Sequence, residues 1–364
     1  MKLKSLKTSV YRVPTDHPEA DGTIAWDSTT MVLVEATADS GLGGIGFSYT
    51  SGAAAQVVHE VLEPHLLGLP IEDIGAAWRA MVAAVRNLGR QGIAASAISA
   101  VDVALWDLKA RSLGLPLFKL LGAVRDEVPI YGSGGFTTYP DELLREQLGG
   151  WVKDGISRVK MKIGQDWGTN EARDIERVRV AREAIGSAAE LFVDANGAYG
   201  LKQALRLARV FAESGVTYFE EPVSSDQLDQ LALIRANTDL DIAAGEYGYD
   251  PWYFRTMLER GAVDILQADA TRCLGITGWL EAAQLAHAFA IPFSAHTSPS
   301  IHAQAGCAAP QLSHVEYFHD HARIEEMFFD GVPERRGGYL RPHASRGGLG
   351  LELKKSNAEA YKCA

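Results

Sequence analysis

Cysteine is scarce: Cys273, Cys307 and Cys363 are the only three in 364 residues, far apart and without a CxxC pair. That argues against a disulfide framework and gives no support to a thiolate zinc site. No apolar run approaches the roughly 20 residues of a membrane-spanning helix, and the opening MKLKSLKTSVYRVP has no apolar stretch of the secretory kind. A cytoplasmic location is therefore expected. Positive charge is also in short supply. With 35 Lys and Arg against 46 Asp and Glu, the formal net charge of −11 argues against nucleic acid or an anionic membrane as partner. An anionic small molecule stays open, because a few lysines and a metal reverse the field inside one cleft. Low-complexity segments are absent. The single glycine-rich run, DSGLGGIG, lacks the strand–helix setting of a nucleotide loop and reads as a hairpin turn.

What is present is enough apolar material for a sizeable core (47% hydrophobic) and two differently patterned regions. Residues 1–125 open with short β-rich segments (2–13, 29–37 and Ile45–Tyr49). Three helical stretches follow, Ala54–Leu67, Asp73–Asn87 and Gly92–Leu113. In the last, Ile98, Val101, Leu105 and Leu108 recur at helical steps and predict one buried face. From Val128 onward, eight short apolar segments (VPIYGS, RVKMKI, ELFVDAN, TYFEEP, DIAAGE, DILQAD, PFSAH, HVEYF) alternate with amphipathic stretches. This predicts an α/β fold: a parallel (β/α) barrel over 126–328 behind an N-terminal α+β domain. The Gly/Arg-rich tail, 329–364, is expected to pack back on the N-terminal block.

Nearly every predicted barrel strand ends in an ionisable residue. Lys160 and Lys162 lie on RVKMKI, and Asp194, Glu220, Glu246, Asp269, His296 and Glu316 follow at separations of 26, 26, 23, 27 and 20 residues from Asp194 on, one strand–helix unit each. Strand alternation puts Lys160 and Lys162 on one face and Val159, Met161 and Ile163 on the other. It likewise turns Asp194 and Asn196 inward. Three carboxylates on consecutive strands, Asp194, Glu220 and Glu246, form an all-oxygen site that favours Mg²⁺ over Zn²⁺. Two adjacent lysines are expected to depress each other's protonation, giving one of them use as a base. Asp269 and His296, from neighbouring strands, suit a carboxylate-supported imidazole. Glu221 has the wrong phase for a ligand, and HVEYFHDH offers His319 and Asp320 besides Glu316.

These residues resemble the mandelate racemase subgroup of the enolase superfamily. Lys160-Met161-Lys162 looks like its KxK motif, Asp194, Glu220 and Glu246 like its metal ligands, Asp269 and His296 like its Asp–His dyad. Glu316 is similar to the acid that hydrogen-bonds the substrate carboxylate. The resemblance implies a modified (β/α)7β barrel with a capping domain, Mg²⁺ as cofactor and a homo-oligomer. It further implies Lys162 and His296 as bases on opposite faces of a carboxylate substrate, Lys160 as an aid to charge neutralisation, and Asn196 beside the metal. The lysine that muconate-lactonising and dipeptide-epimerase relatives carry on the sixth strand is replaced by Asp269, which disfavours those chemistries. By the same resemblance the polar segment Pro14–Asp27 is a substrate-selecting lid, with Tyr49 and Thr50 near a second specificity loop. No Lys or Arg lies between Arg12 and Arg79, so the lid has no cation for a second carboxylate, although His17 or Arg272 could supply one. The leading expectation is dehydration of a sugar acid, aldonate more than aldarate, to a 2-keto-3-deoxy acid. Racemisation or epimerisation of a 2-hydroxy acid uses the same residues, and a non-catalytic binding barrel is the reading from a different class.

Overall fold

The structure, a computed structural model, describes residues 1–363. Two antiparallel hairpins open the chain: β1 (Leu3–Ala20), β2 (Ala25–Ala38) and β3 (Gly43–Tyr49) form one sheet in that order. The predicted lid loop is mostly strand. β1 runs to Ala20 and β2 begins at Ala25, so Pro14–Asp27 is a β-ribbon with a short turn and a register shift between Pro14 and Glu19. The run of polar residues hid it, because an exposed ribbon needs no apolar alternation.

Behind this sheet, Ile93–Ser112 is buried at 15 of its 20 positions, not on one face as its spacing suggests. A helix covered all round sits between two layers. On one side Ile98, Val101, Leu105 and Leu108 join the cap core with Val32 and Val34. On the other side Trp106 and Asp102 bond Thr277 at the head of a barrel helix. The predicted helix Ala54–Leu67 instead changes its winding twice, from α to π at Val58–Leu62 and then to 3-10 at Glu63–His65.

Eight strands close the barrel: β4 (Val128–Gly134), β5 (Arg158–Lys162), β6 (Glu190–Asp194), β7 (Val216–Glu220), β8 (Asp241–Ala244), β9 (Ile265–Ala268), β10 (Phe293–Ala295) and β11 (Leu312–Phe318). All neighbours in this set pair parallel, and β11 pairs with β4 to complete the ring. Val159 and Met161 of β5, and Ile163 just past its end, pack into the outer core with Val178 and Ala181 of the adjoining helix, as period-two alternation requires. The tail forms short strands, of which Tyr339–Arg341 pairs with β4. Its end reaches the cap, where Cys363 N donates to Val10 O and Arg111 bonds Leu351 O and Glu352. Among the described residues no helix is long and apolar enough to cross a membrane.

Candidate active site

The inner face of the barrel is laid down in two storeys, two residues apart. The lower storey is largely aromatic, with Lys160 its one charged residue. Tyr131, Phe192, Tyr218, Ala243 and Ile265 form a buried cluster of their own, with Phe192 stacked on Tyr218 at 4.5 Å. His314 joins it, and burial pushes its imidazole down to about 3, so it stays neutral. One step further along each strand comes the upper storey: Lys162 after Lys160, Asp194 after Phe192, Glu220 after Tyr218, Asp269 after Gln267, His296 after Ser294, Glu316 after His314. Glu246 breaks this rule. Ala243 faces inward, so alternation would turn residue 246 outward. Gly245 corrects the phase at φ +139°, where a Cβ would stand 1.9 Å from Gln267 O, and only glycine fits.

Above the aromatic cluster, and around Lys160, the charges pair tightly. Lys160 Nζ lies 2.7 Å from Glu220 Oε1, 2.8 Å from Glu316 Oε1 and 3.3 Å from Asp194 Oδ2, with no exposure. Lys162 Nζ donates to Asp194 Oδ2 at 2.5 Å and to Asn196 Oδ1 at 3.0 Å. The expected mutual depression of the lysines is corrected here. Burial does lower the Lys162 ammonium and Lys160 adds to that, but Asp194, Glu246 and Glu316 outweigh both and hold it above the usual lysine range. Across the barrel, His296 Nδ1 lies 2.8 Å from Asp269 Oδ2. Burial would raise the Asp269 carboxyl, but the His296 hydrogen bond and the charges of His296 and Arg272 pull it below the usual range. It therefore stays an acceptor and leaves Nε2 of His296 facing the cavity. Glu316 accepts from Ser133 Oγ at 2.6 Å and from Thr297 N at 2.9 Å. Of the other groups in HVEYFHDH, His319 turns to Asp16 (2.9 Å) and Asp320 takes Thr29 and Arg323.

Asp194, Glu220 and Glu246 bring one carboxylate oxygen each within 4.8 Å of the others, all buried. Glu246 Oε2 has no hydrogen-bond partner; His296 Nε2 is 3.3 Å away without the geometry for one. A buried carboxylate oxygen left bare is costly, and a hard divalent cation with oxygen ligands is what this set fits.

A cavity of about 480 Å³ opens above these groups, with Lys162, Asn196, Glu246, Asp269, Arg272 and His296 on its barrel side. The cap supplies the opposite wall, with Trp26, Ser28, Thr29, Thr30, Tyr49, Thr50 and Ser51. The hairpin tip seats on the barrel at Gly22, where a Cβ would come within 2.8 Å of the Ala195 and Ile163 carbonyls. Beside it Asp21 lines the cavity, its Oδ1 accepting from the N–H groups of Thr23 and Ile24. Tyr49 lines the wall stacked on His321 at 3.4 Å. His17 is not on this wall; its ring packs edge-on against Tyr139. Arg272 lines the barrel side, and its charge is already engaged by Glu246 (3.3 Å) and Asp269 (3.6 Å). It is poorly placed to claim a second carboxylate.

Residues 143–357 match the enolase C-terminal domain-like family, and residues 6–122 the mandelate racemase / muconate lactonizing enzyme N-terminal domain. The chain belongs to the mandelate racemase/muconate lactonizing enzyme family. It is similar over its whole length to the solved structure of a mandelate racemase/muconate lactonizing enzyme-like protein from Rubrobacter xylanophilus (51% identity, TM-score 0.96, all of both chains covered). A racemase from Streptomyces coelicolor A3(2), solved with bound magnesium, is 28% identical (TM-score 0.93; 99% of this chain and 100% of that one). The arabinonate dehydratase of Saccharolobus solfataricus is 31% identical over 345 residues, 92% of this chain and 91% of the relative.

For this member of the mandelate racemase/muconate lactonizing enzyme family, strand-end spacing brought the charged residues to notice but missed their supports. Ser133, Thr297 and His321 carry no motif. Thr297 and Asn196 sit at φ +50° and +46°, which no local pattern announces. Glu221, at φ +39°, is buried beside the triad and its Oε1 is also unpartnered, but it is not among the three residues whose carboxylate oxygens converge.

Proposed function

We propose that the protein removes the proton next to the carboxylate of a sugar acid and dehydrates it to a 2-keto-3-deoxy acid, taking aldonates in preference to aldarates. One observation carries this. The triad strands β6, β7 and β8 are flanked by the lysine strand β5 on one side and the dyad strands β9 and β10 on the other, and Lys162 and His296 line one cavity. Asp194, Glu220 and Glu246 would hold Mg²⁺, which when bound supplies Lewis-acid stabilisation of the charge that gathers on the substrate carboxylate. Lys160, fully buried beside Glu316, adds positive charge at the same end of the cavity without itself reaching solvent. Lys162 or His296 takes the proton from C2; Lys162 would do so only with a cation offsetting the Asp194 and Glu246 charges that otherwise hold its own proton. The electron pair of that C–H bond forms the C2–C3 double bond as the C3–O bond breaks. Protonated His296, steadied by Asp269, hands its Nε2 proton to the leaving hydroxyl, which departs as water. The enol left behind tautomerises to the 2-keto acid.

The preference for aldonates rests on the cap wall. It offers hydroxyls and aromatic rings but no free cation, and Asp21 would repel a second carboxylate. The similarity to an arabinonate dehydratase bears on sugar-acid dehydration and not on this choice, since an L-talarate/galactarate dehydratase of Salmonella typhimurium is also 31% identical. The test is incubation with Mg²⁺ and a library of aldonic and aldaric acids, reading 2-keto acid as its semicarbazone. Keto acid from an aldonate, lost in Lys162→Ala and in His296→Asn, is the expected result. The similarity to a racemase favours a second reading, 1,1-proton transfer by the same two residues. Solvent deuterium at C2 with inverted configuration and no elimination would select it.

A further inference from the structure

Asp269 and His296 stand just beyond the ends of β9 and β10, where the last backbone bond between the two segments is His296 N to Ala268 O at 3.0 Å. His302, fully buried in the helix Pro299–Gly306, reaches both. Its Nε2 lies 2.9 Å from the backbone N of Ala270, the residue after Asp269. Its Nδ1 lies 2.7 Å from the carbonyl oxygen of Thr297, the residue after His296. These partners dictate one protonation state. A backbone N–H only donates and a carbonyl only accepts, so Nδ1 carries the proton and Nε2 is bare. Burial favours the same neutral ring. A second anchor braces the segment, since Trp279 Nε1 donates to Ala268 O and its ring packs 5.7 Å from that of His302.

Thr297 explains why the grip matters. It is β-branched yet held at φ +50°, a conformation that such residues keep only when their surroundings impose it. From there its N–H serves Glu316 Oε2 (2.9 Å), and its hydroxyl lies 3.3 Å from His296 Nδ1 and 3.4 Å from Asp269 Oδ2. One strained residue thus touches three members of the site, and His302 holds its carbonyl.

We propose that His302 is a positioning residue. By bridging the backbones just past β9 and β10 it sets the alignment of the Asp269–His296 pair and, through Thr297, the seat of Glu316. Its consequence for turnover rests on the reading of His296 as the proton-transfer group. Two near-isosteric variants test it. His302→Asn keeps a donor near the Nδ1 position and loses the Nε2 acceptor, whereas His302→Gln keeps the acceptor and loses the donor, so each cuts the bridge at one end. In both, kcat is expected to fall about 10- to 100-fold with KM within about threefold, the scale of a small misplacement of a reacting group. The downfield proton resonance of His296 Nδ1–H, assigned by its loss in His296→Asn, is expected to shift or broaden in both. That spectrum needs no substrate. Failure of the wild type to turn over any sugar acid would count against the proposed function, while the resonance would still judge the bridge. A wild-type kcat together with an unmoved resonance in both variants overturns the positioning role. Should neither variant fold, the ¹⁵N shifts of His302 in the wild type decide: a bare Nδ1 overturns the bridge, and a protonated Nδ1 with a bare Nε2 upholds it.

Discussion

On the barrel side of the cavity, ionisable groups hold one another: Lys162 on Asp194, Lys160 on Glu220 and Glu316, His296 on Asp269, all between 2.5 and 2.8 Å. On the cap side, Trp26, Ser28, Thr29, Thr30 and Tyr49 present rings and hydroxyls, and Asp21 brings the one carboxyl group among them. The barrel groups sit on strand ends that close a ring, so none can move without its neighbours. The cap groups sit on a ribbon seated by a glycine and a handful of hydrogen bonds. The contrast assigns chemistry to the rigid wall and choice of substrate to the adaptable one.

The largest effect expected from that division is a difference between walls in one assay. Lys162→Ala is expected to lower kcat by about 10²- to 10⁴-fold, the usual contribution of a positioned base. Tyr49→Phe or Thr30→Val is expected to change kcat/KM by about tenfold or less, mostly through KM, with a different ranking of sugar acids. Comparable losses in kcat from the two walls would break the comparison. A second effect concerns the cation. Mg²⁺ at about a hundred times its Kd stabilises a folded protein by about 2.7 kcal/mol, visible as a rise in Tm. Glu246→Gln is expected to abolish that rise, read against the variant's own metal-free Tm, since the substitution also removes the charge that faces Arg272 at 3.3 Å. A metal-induced rise that persists in the variant would sink the assignment of Glu246 as a ligand.

The smallest effect sharpens the cap side. Burial, reinforced by Asp320, pushes the Glu19 carboxyl up to about 8, and its one bond is from Trp26 Nε1. A carboxyl whose folded pKa is raised binds protons more tightly folded than unfolded. Its contribution to stability is complete below about pH 4.5, its unfolded value, and is lost as pH rises through about 8. The wild-type Tm should therefore decline across that window. Glu19→Gln should flatten the decline, read by thermal denaturation at a series of pH values. An equally steep decline in the variant would place the titrating group elsewhere.

The barrel was legible because its strands are buried on both sides and each ends in chemistry, so period two and a spacing of one strand–helix unit reinforced each other. The same reasoning placed Asp194, Asp269, His296 and Glu316 on the inner face. It reached Glu246 by spacing, without the reason: Gly245 reverses the phase, and a glycine's backbone angle is not written in alternation. The lid ribbon was missed because its strands are polar on both faces over much of its length. The lysine charges were misjudged because sequence shows that Lys160 and Lys162 neighbour each other but not that Asp194 and Glu220 lie closer. His302 stayed invisible for a different reason. Its work is done on backbone atoms of residues 270 and 297, and no side-chain motif records such a bond.

The aromatic storey beneath the charged one turns the barrel into a vessel with a single opening. Tyr131, Phe192 and Tyr218 stop the lower end, so sugar acid, water and keto acid must share one doorway under the cap. Should the hairpin seated at Gly22 have to lift for the keto acid to leave, kcat is expected to fall as solvent viscosity rises; an unchanged kcat would leave bond breaking as the slow step.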